Sequence, residues 1–252
     1  MATSPGGASG QRLLPIFPLS TVLFPGAALP LHIFEQRYRA MIRRCLEAPA
    51  HEFVVCLIKE GDEVVEPPTP DAPPGRPAIP HDVGTTARIL EAHQLPDGRY
   101  YIVCLGGERI RLRRLVQREP YLVGAVEPFP DEAAPTPTQD PAELAARMRG
   151  AVERLLATLE QALAARPEQR RQVQELARAV PADARGLSFF VPRVLTLANA
   201  QEQQRLLEAT SAHERLRLVL PFVYREQKVL EQDLALSASE GPGAGIHRPS
   251  VN

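Results

Sequence analysis

Apolar residues recur at every second position, or in short unbroken runs, through the first half of this chain; in the second half they recur at every third or fourth position. "EFVVCLI" (52–58), "RYYIVCL" (99–105) and "YLVGAV" (121–126) are rich in β-branched and aromatic residues, which predicts strands. In "ERIRLRRL" (108–115), Arg109, Arg111 and Arg113 alternate with Ile110 and Leu112, so the spacing predicts a strand with one wet and one buried face. The doubled Arg113-Arg114 breaks that alternation and marks an expected bulge. Pro96-Asp97-Gly98 predicts a hairpin turn, because Asp-Gly tolerates the positive φ angles that tight turns require.

The stretch "FPGAALPLHIFEQRYRAM" (24–41) reads as turn, strand, helix. Pro25-Gly26 makes the turn, and Pro30 places "ALPLHI" at a sheet edge or a bulge, since proline has no amide for a ladder. Beyond Ile33, the spacing of Phe34, Tyr38, Met41, Ile42 and Cys45 lays one apolar stripe along a helix, with Glu35 and Arg39 expected to pair across one turn.

Helix signals dominate after Asp140. "DPAE" puts Asp140 at an N-cap and Pro141 in the first turn, and "NAQE" (199–202) and "SAHE" (211–214) repeat an acceptor three residues before Glu. The pattern predicts helices near 141–165, 168–180, 184–198, 200–209 and 212–236, the last expected to kink at Pro221. Two proline clusters punctuate the chain. "EPPTPDAPPGRPAIP" (66–80) holds seven prolines and reads as a long exposed loop, either a plain surface insertion or a ligand for an aromatic groove. "EPFPDEAAPTPTQDP" (127–141) reads as a linker. The expected organisation is a disordered start (1–11), a β-rich domain (12–128), a proline-rich linker (129–140), a helical subdomain (141–236) and a disordered tail (237–252).

Composition narrows the function classes. A net charge of -1 supplies no global positive field to draw in nucleic acid. No run approaches the roughly 18 apolar residues of a membrane span, and "MATSPGGASGQR" lacks the form of a signal peptide. Cys45, Cys56 and Cys104 form no CxxC pair and sit in apolar stretches, as buried thiols do. Their odd, sparse number points to a reducing compartment, so a soluble, cytoplasmic protein is expected.

Catalytic chemistry finds no footing. The six histidines show no HExxH or similar ligand spacing, so neither a metal nor a cofactor is expected. His32 reads first as a packed, hydrogen-bonded side chain and only second as a base. Ser188 has no G-x-S-x-G elbow, Ser211 reads as a cap, and Glu108 and Glu127 lack an acidic partner.

The block "PIFPLSTVLFPGAALPLHIFEQRYRAM" (15–41) closely resembles the start of the substrate-binding N-terminal domain of Lon proteases. "VGTTARI" (83–89), "DGRYYIVCLGGERIRL" (97–112), "YLVGAVE" (121–127) and "QRLLEATSAHERL" (204–216) continue the resemblance in order, over roughly residues 12 to 232. The chain departs from the family at Gln203, where Lys is common, and in the proline-rich loop at 66–80. The resemblance implies an α+β fold, a PUA-like β pseudo-barrel followed by a C-terminal α-helical bundle. It also implies a non-catalytic module that binds unfolded or extended protein segments, or a protein partner in proteolysis. No GxxxxGK[ST] phosphate loop occurs, so the ATPase and protease modules of Lon enzymes are not expected here. Candidate peptide contacts are Phe24, His32, Phe34 and Tyr38 beside the edge strand, with Arg37 orienting a carboxylate; strand addition at that edge is a further route. The alternative is an RNA-binding PUA-like module using Arg109, Arg111 and Arg113.

Overall fold

The computed structural model describes residues 11–63, 76–132, 140–195 and 199–239. They form β1 (Arg12–Leu19), β2 (Ala28–Ile33), α1 (Gln36–Glu47), β3 (Glu52–Glu60), β4 (Ile79–Pro80), β5 (Val83–Gln94), β6 (Tyr100–Gln117), β7 (Leu122–Pro128), α2 (Pro141–Ala162), α3 (Pro167–Arg178), α4 (Ala184–Val194), α5 (Ala200–Glu208) and α6 (Ala212–Ser239). The class is α+β, as the sequence predicts. The chain divides into two compact units, residues 1–132 with 198–210 and residues 133–197 with 211–252.

In the first unit the strands run β1–β7–β6–β5–β3, and a parallel β1–β3 pair joins the two ends, with Ile16 opposite Val54. The sheet thereby closes into a barrel, which removes the exposed edges those strands would otherwise carry. Burial on both faces explains the unbroken apolar run of β3. Val54 and Cys56 join Ile16, Ile110, Leu112 and Val126 in one cluster, while Phe53 and Val55 join Phe17 and Leu19 in another. Helix α1 covers the second cluster with Tyr38, Met41, Ile42 and Cys45, the stripe that the spacing predicts except for Phe34, which lies ahead of the helix and is exposed. The Tyr38 ring lies 4.1 Å from that of Phe17, and burial pushes its hydroxyl up to about 12.

Local chemistry sets the turns. At the β5–β6 hairpin the Gly98 amide donates to the Leu95 carbonyl (2.8 Å), and Gly98 adopts a φ of 82°, which favours glycine. The Arg39 guanidinium lies over this glycine, where a Cβ would collide with it. Arg39 therefore does not form the expected pair with Glu35, whose carboxylate accepts from Arg37 Nε at 2.9 Å. The expected bulge is present: Leu112 faces Val126 and Arg114 faces Ala125, leaving Arg113 as the extra residue.

Helix α5 belongs to the β unit rather than to the helical subdomain that the sequence suggests. Gln204 Nε2 donates to the Val83 carbonyl (3.0 Å), and Arg109 Nη1 donates to the Leu207 and Ala209 carbonyls (2.7 and 2.6 Å) at the helix end. The start of the expected linker is also fixed there, since the Glu132 amide donates to the Thr210 carbonyl (2.8 Å). Periodicity and caps report a helix but not the surface it docks on. Of the loop at 66–80, residues 64–75 lie outside the described residues, while Ile79 and Pro80 pair with the end of β3 as β4. The expected disordered stretches 1–11 and 237–252 also fall largely outside them, although α6 continues to Ser239.

The second unit comprises α2, α3, α4 and α6. Leu144, Met148, Ala151, Val152, Leu155 and Leu156 form the buried stripe of α2. Asp140 caps α2 by accepting from the Ala142 amide (2.9 Å), and Ser211 Oγ accepts from the Glu214 amide (3.1 Å), as expected of both. Helix α6 runs through Pro221 without ending. Arg215 is fully buried, donates from Nε to Ser188 Oγ (3.0 Å) and lies 4.0 Å over the Phe189 ring.

Candidate functional site

Strand β2 has a strand neighbour on one side only among the described residues, the first half of β6. The phase of that pairing is set where the Gly106 amide donates to the Ala27 carbonyl (2.8 Å). Counting on in antiparallel alternation, the backbone groups of Leu29, Leu31 and Ile33 face β6, and those of Ala28, Pro30 and His32 face away. Pro30 thus sits where an amide would have no partner, which is why proline is tolerated in this strand. It also deletes a donor from the free edge, which hinders addition of another strand.

The side chains alternate in the same way. Leu29, Leu31 and Ile33 pack toward the α1 cluster, while His32 and Phe34 are exposed. Register then assembles an outer face across three strands. Tyr101 on β6 stands opposite both His32 on β2 and His93 on β5, and Val103 stands opposite both Pro30 and Glu91. The His32 and Tyr101 rings stack at 4.5 Å with 19° between their planes, and the Phe34 ring lies 5.9 Å from that of His32. A shallow groove of about 510 Å³ runs over this face, lined mainly by apolar and aromatic side chains. Such a surface suits side chains of an extended segment better than a small polar ligand.

Of the expected peptide contacts, three are corrected. Phe24 and Tyr38 are only 3% and 4% exposed and belong to the interior, Tyr38 on the buried face of α1 and Phe24 in the connection between β1 and β2. Arg37 is partly buried and already engaged, with Nε on Glu35, Nη2 on the Glu63 carbonyl (3.2 Å) and its guanidinium 4.4 Å over Tyr38. It is therefore not free to orient a carboxylate. His32 is exposed and stacked, not packed inside as its motif suggests. Phe34, 48% exposed, stays at the surface. Tyr101, His93 and Glu91 were not legible as site residues. The period of two shows that one of Tyr100 and Tyr101 must point outward, but only the pairing register says which strands flank it.

The arginine row is also corrected. Arg109 is 4% exposed and its guanidinium is consumed by the α5 carbonyls, by Asp131 (2.5 Å) and by the Phe129 ring at 4.5 Å. Arg111 is partly buried, 4.3 Å over the same ring. Arg113 remains exposed and bonds Glu127, whose carboxyl it holds below the usual range chiefly through that hydrogen bond. At Arg109 and Arg111 the face that alternation marks as wet is covered by α5 and residues 129–131, so the three arginines do not form a row of free cations.

The three cysteines and Ser188 are not set for nucleophilic attack. Burial pushes the thiols of Cys45, Cys56 and Cys104 up to about 12, far from the thiolate that attack requires. Ser188 is buried and donates to the Arg185 carbonyl (2.7 Å). Among the described residues no group of three or more His, Cys, Asp or Glu side chains is placed to hold a metal ion, and no helix is long and apolar enough to cross a membrane.

Known proteins share this fold. Residues 13–225 match the family of the ATP-dependent protease La (LON) substrate-binding domain. The Lon protease of Anaeromyxobacter dehalogenans is 27% identical over 87% of this chain and 24% of its own length. That of Desulfovibrio desulfuricans is 29% identical over 96% of this chain and 26% of its own. The chain therefore spans about a quarter of the Lon proteases it matches. Among solved structures, a Lon N-terminal domain protein from Xanthomonas campestris aligns with a TM-score of 0.52 and 25% identity, covering 84% of this chain and 98% of that one. The N-terminal domain of a Mycobacterium avium complex Lon protease aligns with a TM-score of 0.57 at 20% identity over 84% of this chain and 98% of that one, a likeness of fold. A barrel of this kind, with a match that covers most of its length, means that the chain belongs to the family of Lon substrate-binding domains.

Proposed function

We propose that this chain is a non-catalytic recognition module that holds unfolded or extended protein segments on the outer β2–β6–β5 face. The observation that carries this reading is the exposed His32–Tyr101 stack, flanked by Phe34, on a barrel of the Lon substrate-binding family. Binding there proceeds by burial of partner side chains against the aromatic face rather than by strand addition, because Pro30 interrupts the free edge. Each apolar side chain fully buried contributes about 1.5–3 kcal/mol before ordering costs, so two or three such contacts give weak, rapidly reversible capture. Reversibility suits a module that delivers segments to proteolysis, and a protein partner in that process is the natural recipient.

The test is a titration of a fluorescently labelled, permanently unfolded polypeptide, read by anisotropy. Wild-type protein is expected to bind, and the combined Phe34→Ala and Tyr101→Ala variant to bind about tenfold more weakly while its circular dichroism stays unchanged. Equal affinity of the two proteins would overturn the assignment of the face. The RNA-binding reading is not favoured, since two of its three arginines serve internal contacts. A salt-sensitive gel shift lost on Arg111→Glu would restore it.

A further inference from the structure

We propose that the groove selects segments in which a cationic side chain, arginine or lysine, sits among apolar neighbours; this rests on the reading of the face given above and narrows its partner class. Glu91 is the one formally charged side chain lining the groove. It stands opposite Val103, one row along from the His32–Tyr101–His93 row. Among the described residues no ion pair or side-chain hydrogen bond engages its carboxylate. The surrounding charges are accounted for in other ways. Arg99 pairs with Asp97 at the hairpin tip (2.7 Å), and Glu35 and Arg37 pair with each other (2.9 Å). Arg88, opposite Leu105, lies outside the groove lining.

Glu91 is therefore an uncompensated carboxylate on an aromatic floor. Tyr101, 52% exposed, has one ring face stacked on His32, which leaves its other, equally negative face for a cation. A guanidinium or ammonium group laid across Tyr101 toward Glu91 gains a cation–π contact and an ion pair together, while its aliphatic stem covers Val103 and Pro30. An acidic side chain in the same place meets Glu91 with like charge and the ring with the wrong sign. Neither interaction exceeds the modest worth of a surface contact, so the effect is selectivity among weakly held segments.

Three labelled peptides of alternating leucine and serine, identical except for a central arginine, glutamine or glutamate, test this against wild-type protein and the Glu91→Gln and Tyr101→Ala variants. The expected order is arginine, then glutamine, then glutamate, with arginine about tenfold tighter than glutamate. Glu91→Gln is expected to shrink that ratio to about twofold without weakening the glutamine peptide. Equal binding of all three peptides, lost in Tyr101→Ala, would overturn the cation preference while sustaining the recognition face. A preference that persists undiminished in Glu91→Gln would also overturn it. Failure of every peptide to bind would remove both readings.

Discussion

The two halves of strand β6 carry opposite chemistry and meet opposite fates. In the first half, Tyr101, Val103 and Leu105 alternate with the buried Tyr100, Ile102 and Cys104, and the apolar outward face stays at the surface. In the second half the alternating residues are arginines, yet Arg109 is sealed beneath α5 and Arg111 lies against Phe129. Charge written in a sequence is therefore not charge available to a partner. Apolar surface left open on a barrel that already has a full core is the more informative residue pattern.

The largest expected effect comes from loading the interior of the barrel with charge. Cys45, Cys56 and Cys104 are raised from 9.0 to about 12, and Tyr38 from 10.0 to about 12, each first of all by burial. Between those values the folded state holds protons that the unfolded chain releases, so these groups' contribution is whole below pH 9 and drains away as pH rises toward 12. Urea midpoints are expected to hold steady up to pH 9 and then fall steeply, with the thiols inert to a disulfide reagent until unfolding. A midpoint unchanged at pH 11 would contradict the burial.

Next in size is Arg109→Ala, expected to cost about 3–5 kcal/mol in urea denaturation, because it removes a buried guanidinium together with its bonds to Asp131 and to the Leu207 and Ala209 carbonyls at the end of α5. Arg113→Ala, in the same row but exposed, is expected to leave the midpoint in place; equal losses would erase the contrast within the second half. Gly106→Ala falls between the halves. A Cβ there meets the Phe24 carbonyl, and the strain is expected to cost about 1–3 kcal/mol by thermal or urea denaturation. The smallest effect on stability belongs to Tyr101→Ala, expected within about 1 kcal/mol by the same denaturation, since half of that side chain already faces water.

The contrast also shows what sequence reasoning can reach. Strand positions, the hairpin at Gly98, the bulge at Arg113, the α1 stripe and the helix caps were legible because each depends on residues within a few positions of one another. The fate of Arg109 was not, since its partners lie 22 residues away at Asp131 and 98 and 100 residues away at Leu207 and Ala209. Phe24, Phe34 and Tyr38 looked alike as aromatics in one block, yet only Phe34, just ahead of α1, faces outward, while Tyr38 lies on the buried face of α1 and Phe24 is buried before β2. The His32–Tyr101–His93 row required the register of three strands and left no local trace.

The central claim is that the outer face of the first half of β6 holds protein segments. Heteronuclear NMR of the intact chain during titration with an unfolded polypeptide tests it most directly. The account predicts shifts confined to His32, Phe34, Tyr101, His93 and their sheet neighbours. Saturable binding with those signals unmoved, and with shifts gathered instead around Arg111 and Arg113 or on the helical unit, would contradict it.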